Sequence, residues 1–204
     1  MADHTDNRSS GASLPEGQTG GSVHSGARPL DAVALGPDAA AEKVARKVIL
    51  DQLTGQARTR VELAAKLAKK DVPEEIAERL LTRFEEVGLI DDAAFARSWV
   101  ESRQSGKGLA RRALAHELRR KGIDHVVARE ALDEVDPEAE VESARMLVRR
   151  KMRSVQRVDR TSAIRRLTAM LARKGYPPGL AVRVVREELE AAGNDASDVV
   201  ERFD

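Results

Sequence analysis

Apolar residues recur every three or four positions along most of this chain, from Ala39 onward. This spacing predicts amphipathic helices, and no segment alternates convincingly as a strand would. The first predicted helix covers about 43–54. Thr59 opens the second, with Glu62 three residues later at the spacing of a capping box. Low aromatic content and abundant Ala, Leu, Arg and Glu also favour helix.

The predicted helices come in groups of three that repeat at intervals of about 50 residues. Leu63, Leu114 and Leu167 occupy matching positions, and so do the segments KLAKKDV at 66–72, ELRRKGI at 117–123 and MLARKGY at 170–176. Each unit alone is too small for a good core, so we expect neighbours to share buried apolar surface. The predicted fold is all-α, with three tandem three-helix repeats and about nine helices in an elongated curved array. A single compact bundle is the alternative.

Composition sets the predicted domain boundaries. Six of the 14 glycines and three of the seven prolines fall within residues 1–38, which predicts a disordered N-terminal tail. The three repeats are predicted over 39–90, 91–135 and 136–191, followed by an acidic C-terminal tail over 192–204.

Charge is strongly segregated although the net charge of the chain is only +1. Residues 145–186 carry thirteen basic side chains against Asp159 alone, a net charge of +12. Residues 187–204 carry a net charge of −6. A phosphate backbone or an acidic protein groove would suit the basic block. The alternative is neutralisation within the chain, by the acidic segment from Glu187 to Asp204.

The repeated basic helix ends pose a separate question. A favourable interaction with the helix dipole explains one basic residue there but not two or three in every repeat. Matching positions of stacked repeats tend to lie along one surface, so we expect a basic stripe that a repetitive or filamentous partner could recognise. The binding candidates, chosen by charge and repeat position, are Arg119, Arg120, Lys121, Arg145, Arg149, Arg150, Lys151, Arg153, Arg157, Arg165, Arg166, Arg173 and Lys174.

The sequence contains no catalytic constellation, so we predict no enzyme activity, no cofactor and no metal. His116 and His125 are expected to be solvent-facing helix residues, and the SGKG segment at 105–108 is expected to be a turn. Asp91 and Asp92 are better explained by N-capping than by a metal site. The chain has no Cys, no apolar run long enough to span a membrane and no apolar signal-type segment. We therefore expect a cytoplasmic protein that is monomeric when free.

One stretch carries a family resemblance. RTRVELAAKLAKKDVPEEIAERLLTRFEEVGLIDDAAFARSWVESR at 58–103 resembles the signature of the RecX family of recombinase regulators, including the GLIDDAAFA turn and Trp99 four residues after Phe95. RRALAHELRRKGI and RRLTAMLARKGY resemble its second and third repeats, so the resemblance covers about 45–190. One departure is Asp71, where the other two repeats have Gly.

The resemblance implies a non-enzymatic modulator. It would bind RecA filaments on single-stranded DNA, within the filament groove, and restrain strand exchange, ATP hydrolysis and repressor cleavage in DNA repair and the SOS response. The alternative is a stand-alone helical protein that binds single- or double-stranded DNA through the basic third repeat. Replacing Arg149, Arg150 and Lys151 with Glu is expected to weaken partner binding with little change in thermal unfolding.

Overall fold

A computed structural model describes residues 37–201, with side chains from 38 to 193. This part of the chain forms nine α-helices and no strand, which confirms the predicted all-α fold. None of these helices is both long enough and apolar enough to cross a bilayer. The helices are α1 (Pro37–Gly55), α2 (Arg60–Ala68), α3 (Glu74–Glu86), α4 (Asp92–Lys107), α5 (Arg111–Arg120), α6 (His125–Asp133), α7 (Pro137–Met152), α8 (Arg160–Arg173) and α9 (Pro178–Glu201).

The helices pack in three groups, α1–α3, α4–α6 and α7–α9, each around its own apolar cluster. The repeat-matched residues Leu63, Leu114 and Leu167 are all buried at the centre of these clusters. The matched positions thus face inward in every group, as the repeat pattern predicts. We call the groups repeat 1, repeat 2 and repeat 3.

Neighbouring repeats share less buried apolar surface than predicted, although the prediction holds at one junction. Each described cluster is confined to one repeat, except that Ala110 of repeat 2 packs into the cluster of repeat 3. The repeats are joined instead through the ends of their middle helices, α2, α5 and α8. Polar contacts lie at these ends.

The first joint lies between the start of α2 and the end of α5. The Thr59 hydroxyl donates to the carbonyl oxygen of Lys121 at 2.8 Å. Lys121 Nζ donates to Glu62 Oε1 at 2.7 Å. On the same side, the backbone N–H of Arg60 donates to Asp92 Oδ1 at 3.0 Å. Repeat 2 therefore satisfies polar groups at the start of the middle helix of repeat 1.

The second joint repeats this arrangement between the start of α5 and the end of α8. The backbone N–H of Ala110 donates to the carbonyl oxygen of Lys174 at 2.9 Å. The backbone N–H of Arg111 donates to Glu140 Oε1 at 3.1 Å. The buried Tyr176 hydroxyl bonds to Ser143 Oγ at 3.1 Å and to the carbonyl oxygen of Gly108 at 3.2 Å. Burial raises the pKa of Tyr176.

Glycine at the end of the middle helix permits both joints. Gly122 and Gly175 have φ values of 78° and 92°, in the left-handed region where a side chain is unfavourable. A Cβ on Gly122 would lie 2.5 Å from Cβ of Val61, and one on Gly175 would lie 2.5 Å from the backbone nitrogen of Ala113. Asp71 occupies the matching position of repeat 1 with a φ of 54°, and it is exposed.

Several predicted boundaries change. Asp91, not Asp92, caps α4, because its carboxylate accepts from the backbone N–H of Ala94 at 2.7 Å. The segment 105–108 is not a free turn, since α4 continues to Lys107 and only Gly108 leaves the helix. Helix α9 continues to Glu201, so the boundary expected at 191/192 lies inside a helix. The N-terminal tail predicted over 1–38 lies outside the described residues, apart from its last two positions.

Candidate functional site

An open cleft of about 1050 Å³ lies between repeats 2 and 3, formed by α5, α6 and the end of α8. The second joint forms one side of this cleft, since Ala113 and Gly175 both line it. Its floor is apolar, with Ile123, Ala128 and Leu132. Its titratable lining is mainly basic: Arg111, Arg112, Arg119, Arg120, Arg129, Arg173, His116, His125 and Glu117.

Most of the arginines in the cleft have no ion-pair partner among the described residues. Arg111 pairs with Asp133. The other five are exposed and form no ion pair with any described residue. They are Arg112, Arg119, Arg120, Arg129 and Arg173. We call them the free arginines of the cleft.

Glu117 is the one carboxylate among the described residues that line the cleft, and it forms no ion pair with the free arginines. Glu117 Oε2 accepts from Trp99 Nε1 at 2.9 Å and from Arg103 Nε at 3.2 Å. Its charge is therefore directed toward α4. Trp99 itself lies between two cations, with the Arg103 guanidinium 4.0 Å and the Lys121 ammonium 4.5 Å from its ring centroid. These cation–π contacts engage the ring of Trp99, which packs against the apolar core of repeat 2.

The thirteen predicted binding residues lie in four different environments. The cleft gathers Arg119, Arg120 and Arg173, which lie far apart in the sequence. Lys121 and Lys174 contribute to the two joints. Arg145 and Arg149 form ion pairs with α9. The remaining six are exposed and without an ion pair among the described residues: Arg150, Lys151, Arg153, Arg157, Arg165 and Arg166.

Part of the basic block is neutralised within the chain. Arg149 makes a two-pronged contact with the buried carboxylate of Glu188, at 2.8 and 2.9 Å. This hydrogen bonding raises the pKa of Arg149. Arg145 contacts Glu187 at 2.9 Å, and Arg160 contacts Glu190 at 3.0 Å. The alternative of intramolecular neutralisation thus holds for the first acidic residues of this segment.

Sequence reasoning missed two of the free arginines, Arg112 and Arg129. The net charge of repeat 2 is close to zero, and this average hid a strongly basic face. A local signal was present, because Arg112, His116 and Arg120 follow at intervals of four residues and so share one side of α5. Arg129 has no comparable signal, since only the packing of α6 against α5 brings it to the cleft.

The remaining titratable candidates have structural surroundings. His116 and His125 are exposed, as predicted, although both line the cleft. Asp91 and Asp92 act on helix starts, Asp91 on α4 and Asp92 on α2. Burial raises the pKa of Asp92, against the opposing effect of its hydrogen bond from Arg60. Among the described residues, no three His, Asp or Glu side chains are grouped so that they could hold a metal ion.

The fold and the cleft together define a helical-repeat protein with an exposed basic surface. The first, second and third three-helix domains of RecX match residues 45–84, 91–132 and 138–185. The chain belongs to the RecX family.

Individual relatives agree with this assignment. The regulatory protein RecX of Streptomyces coelicolor is 56% identical over 151 residues, which cover 74% of this chain and 80% of that protein. The regulatory protein RecX of Thermobifida fusca is 50% identical over 149 residues, covering 73% and 80% of the two chains. The crystal structure of RecX from Lactobacillus salivarius has a TM-score of 0.69 at 22% identity, covering 74% of this chain and 97% of that one. That likeness supports the fold.

Proposed function

We propose that this protein is a non-enzymatic regulator that binds RecA nucleoprotein filaments. It modulates strand exchange, ATP hydrolysis and repressor cleavage during DNA repair and the SOS response. The observation that carries the proposal is the match of all three tandem domains to RecX, supported by close relatives called regulatory protein RecX.

The surface that we assign to the filament is the exposed basic face of repeat 3. Arg150, Lys151 and Arg153 lie at the end of α7, and Arg157 follows in the segment before α8. None of the four forms an ion pair with a described residue. Their charges therefore remain available to an acidic protein surface, where complementary charge raises the association rate and selects the partner.

The test measures the rate of DNA-dependent ATP hydrolysis by RecA as this protein is added. We expect the rate to decline at near-stoichiometric amounts. A variant with Arg150→Glu, Lys151→Glu and Arg153→Glu should inhibit less at the same concentration. Its matched control carries Lys43→Glu and Arg46→Glu, two exposed cations of α1 without an ion pair among the described residues.

Two results would contradict the proposal. An unchanged ATPase rate at stoichiometric protein would remove the evidence for inhibition. Equal inhibition by the repeat 3 variant and by the wild type would show that this face does not contact the filament. Far-UV circular dichroism of each variant separates loss of binding from loss of fold.

A further inference from the structure

The two joints between repeats differ in what their separation would expose to water. The first joint has three hydrogen bonds between described residues, donated by the Thr59 hydroxyl, the Lys121 ammonium and the backbone N–H of Arg60. Water can replace the partner of each donor, so the net contribution of such bonds to stability is small. Opening the first joint therefore costs little in hydrogen bonding.

Little apolar surface is buried between repeats 1 and 2. The described apolar cluster of repeat 1 includes no residue of repeat 2, and that of repeat 2 includes no residue of repeat 1. Val61 does lie against Gly122, where an added Cβ would come within 2.5 Å of Val61 Cβ. The side chain of Val61 is nevertheless 51% exposed. The hydrophobic effect therefore contributes little to holding these two repeats together.

Lys121 has contacts in both repeats. Its ammonium donates to Glu62 Oε1 of repeat 1 at 2.7 Å and lies 4.5 Å from the ring centroid of Trp99 in its own repeat. When repeat 1 moves away, the ammonium keeps the cation–π contact with Trp99. The guanidinium of Arg60 adds no charge contact across this joint, because it pairs with Glu78 and Glu85 within repeat 1.

The second joint, in contrast, buries apolar groups from both repeats. Ala110 is 1% exposed and belongs to the apolar cluster of repeat 3, and Tyr176 is 2% exposed. Leu147 lies against Gly108, where an added Cβ would come within 2.9 Å of Leu147 Cδ1. Separating repeats 2 and 3 would transfer these groups to water, which the hydrophobic effect opposes. Repeats 2 and 3 are therefore held together as one unit.

We propose that the first joint is a hinge, and that the ion pair between Lys121 and Glu62 is the latch that holds it closed. Repeat 1 rotates as a rigid body against the unit formed by repeats 2 and 3. Hinge motions of this kind take microseconds to milliseconds. The motion is a property of the free chain and lies outside the proposed function, since it requires no RecA.

Salt should loosen the latch. The side chains of Lys121 and Glu62 are each 25% exposed, so solvent ions reach the pair. Charges are screened over about 10 Å at an ionic strength of about 0.1 M and over about 3 Å at about 1 M. The second joint depends on apolar burial, which screening does not weaken.

The test measures distances between two spin labels by pulsed electron paramagnetic resonance on the full chain. The chain contains no Cys, so introduced cysteines are the only sites of labelling. Arg46→Cys on α1 with Ser98→Cys on α4 spans the first joint, and Ser98→Cys with Ala169→Cys on α8 spans the second. All three positions are exposed. The distance distribution across the first joint should be the broader of the two.

The latch is tested by Lys121→Gln in both labelled pairs. This substitution should broaden the distribution across the first joint and leave the second unchanged. The matched control is Lys174→Gln at the same repeat position, where the ammonium donates to the carbonyl oxygen of Lys107. It should leave the second distribution narrow, because Ala110 and Tyr176 hold that joint. Far-UV circular dichroism checks that each variant is folded.

Raising the salt concentration from about 0.1 M to about 1 M provides the second readout. Salt should broaden the first distribution of the wild type and have no further effect on Lys121→Gln. Distributions of equal width across the two joints would rule out the hinge. An unchanged first distribution in Lys121→Gln, or an equal response to salt in that variant, would rule out the latch. Because RecA is absent, each of these results leaves the ATPase test of the proposed function untouched.

Discussion

At the scale of single residues, Gly175 sets how closely repeats 2 and 3 approach. A Cβ at this position would lie 2.5 Å from the backbone nitrogen of Ala113, and the backbone φ of 92° is in the left-handed region. Backbone atoms cannot move aside as the tip of a flexible side chain can. The closeness of the second joint therefore depends on the absence of a side chain here.

We predict that Gly175→Ala lowers the free energy of unfolding by more than about 2 kcal/mol, since left-handed strain and a backbone clash add together. Urea denaturation of both proteins measures the difference. Gly106→Ala is the control, because this glycine lies inside α4 with open space around it and should gain up to about 1 kcal/mol. Equal stability of Gly175→Ala and the wild type would mean that the joint adapts.

Asp92 gives a prediction for pH. Burial raises the pKa of this carboxyl, so the folded chain holds its proton more tightly than the unfolded chain. Stability from this group is therefore present at acid pH and is lost as pH rises through the folded pKa. Asn keeps an oxygen that can accept from the backbone N–H of Arg60. We expect Asp92→Asn to have a higher urea midpoint than the wild type at pH 7.

The difference between Asp92→Asn and the wild type should vanish below the ordinary Asp pKa of about 3.9. Glu101→Gln, a change at an exposed carboxyl of α4, should show no such pH-dependent difference. A lower midpoint for Asp92→Asn at pH 7 would show that the charged carboxylate stabilises the first joint.

Residue-scale prediction from sequence succeeded where the cause is local. Thr59 accepts from the backbone N–H of Glu62, as the capping-box spacing predicts. It did not indicate the contacts of Lys121 and Lys174 with neighbouring repeats. Their position at helix ends is visible in the sequence, but their partners lie 59 to 67 residues away. Only the folded chain reveals that they hold neighbouring repeats.

Between elements, the contact of α7 with α9 changes the expected effect of one variant. Arg149 holds the buried carboxylate of Glu188 through two hydrogen bonds. Glutamate in place of Arg149 would remove both hydrogen bonds and place a like charge beside that carboxylate, which Arg145 Nε approaches to 3.9 Å. The expectation that Arg149, Arg150 and Lys151 can be changed to Glu with little effect on thermal unfolding is therefore revised for Arg149.

We predict that Arg149→Glu lowers the melting temperature clearly, whereas Arg150→Glu and Lys151→Glu lower it little, because both are exposed without an ion pair among the described residues. Differential scanning calorimetry of the three single variants measures this order. Adding Glu188→Gln to Arg149→Glu should recover part of the loss. A melting temperature for Arg149→Glu equal to that of Arg150→Glu would show that the pair is not structural.

Helix assignments were largely predictable because the apolar period, the caps and the glycines all act within one turn or two. The errors lie where tertiary contacts act. Helix α9 continues past the expected end of repeat 3, and its carboxylates pair with α7 and α8. Those pairs join residues 30 to 42 positions apart, a separation that helical periodicity does not describe.

For the whole molecule, separate apolar clusters imply limited cooperativity between repeats. Trp99 is the single tryptophan of the chain and lies in repeat 2, whereas far-UV circular dichroism averages over all helices. We predict that urea unfolding followed by Trp99 fluorescence and by circular dichroism gives transitions that do not coincide, with the latter broader.

The matched comparison uses Gly122→Ala, which disturbs the first joint between repeats 1 and 2. It should separate the two transitions further, because it weakens the link between repeats more than the core of either. Coincident transitions in both proteins would show that the joints transmit unfolding as completely as a shared core does.

Sequence alone indicated the number and order of the repeats, since matched leucines and turns carry that information. It did not indicate how they are joined or where the free charge gathers. The cleft draws on Arg112 and Arg173, which are 61 positions apart, and only the second joint places them in one cleft. Counting charge by segment assigned the basic surface to repeat 3, and only the repeated basic helix ends added Arg119, Arg120 and Lys121 of repeat 2 to the candidates.

Asp71 has a consequence for how such proteins grow by duplication. A unit inserted ahead of repeat 1 would have to pack the first turn of its middle helix against the end of α2. At the matching ends of α5 and α8, Gly122 and Gly175 leave room for such a turn, whereas Asp71 presents a carboxylate at the end of α2. Lengthening at that end would therefore require loss of this side chain as well as gain of a unit. A protein engineer who wishes to add a fourth module should begin by changing residue 71.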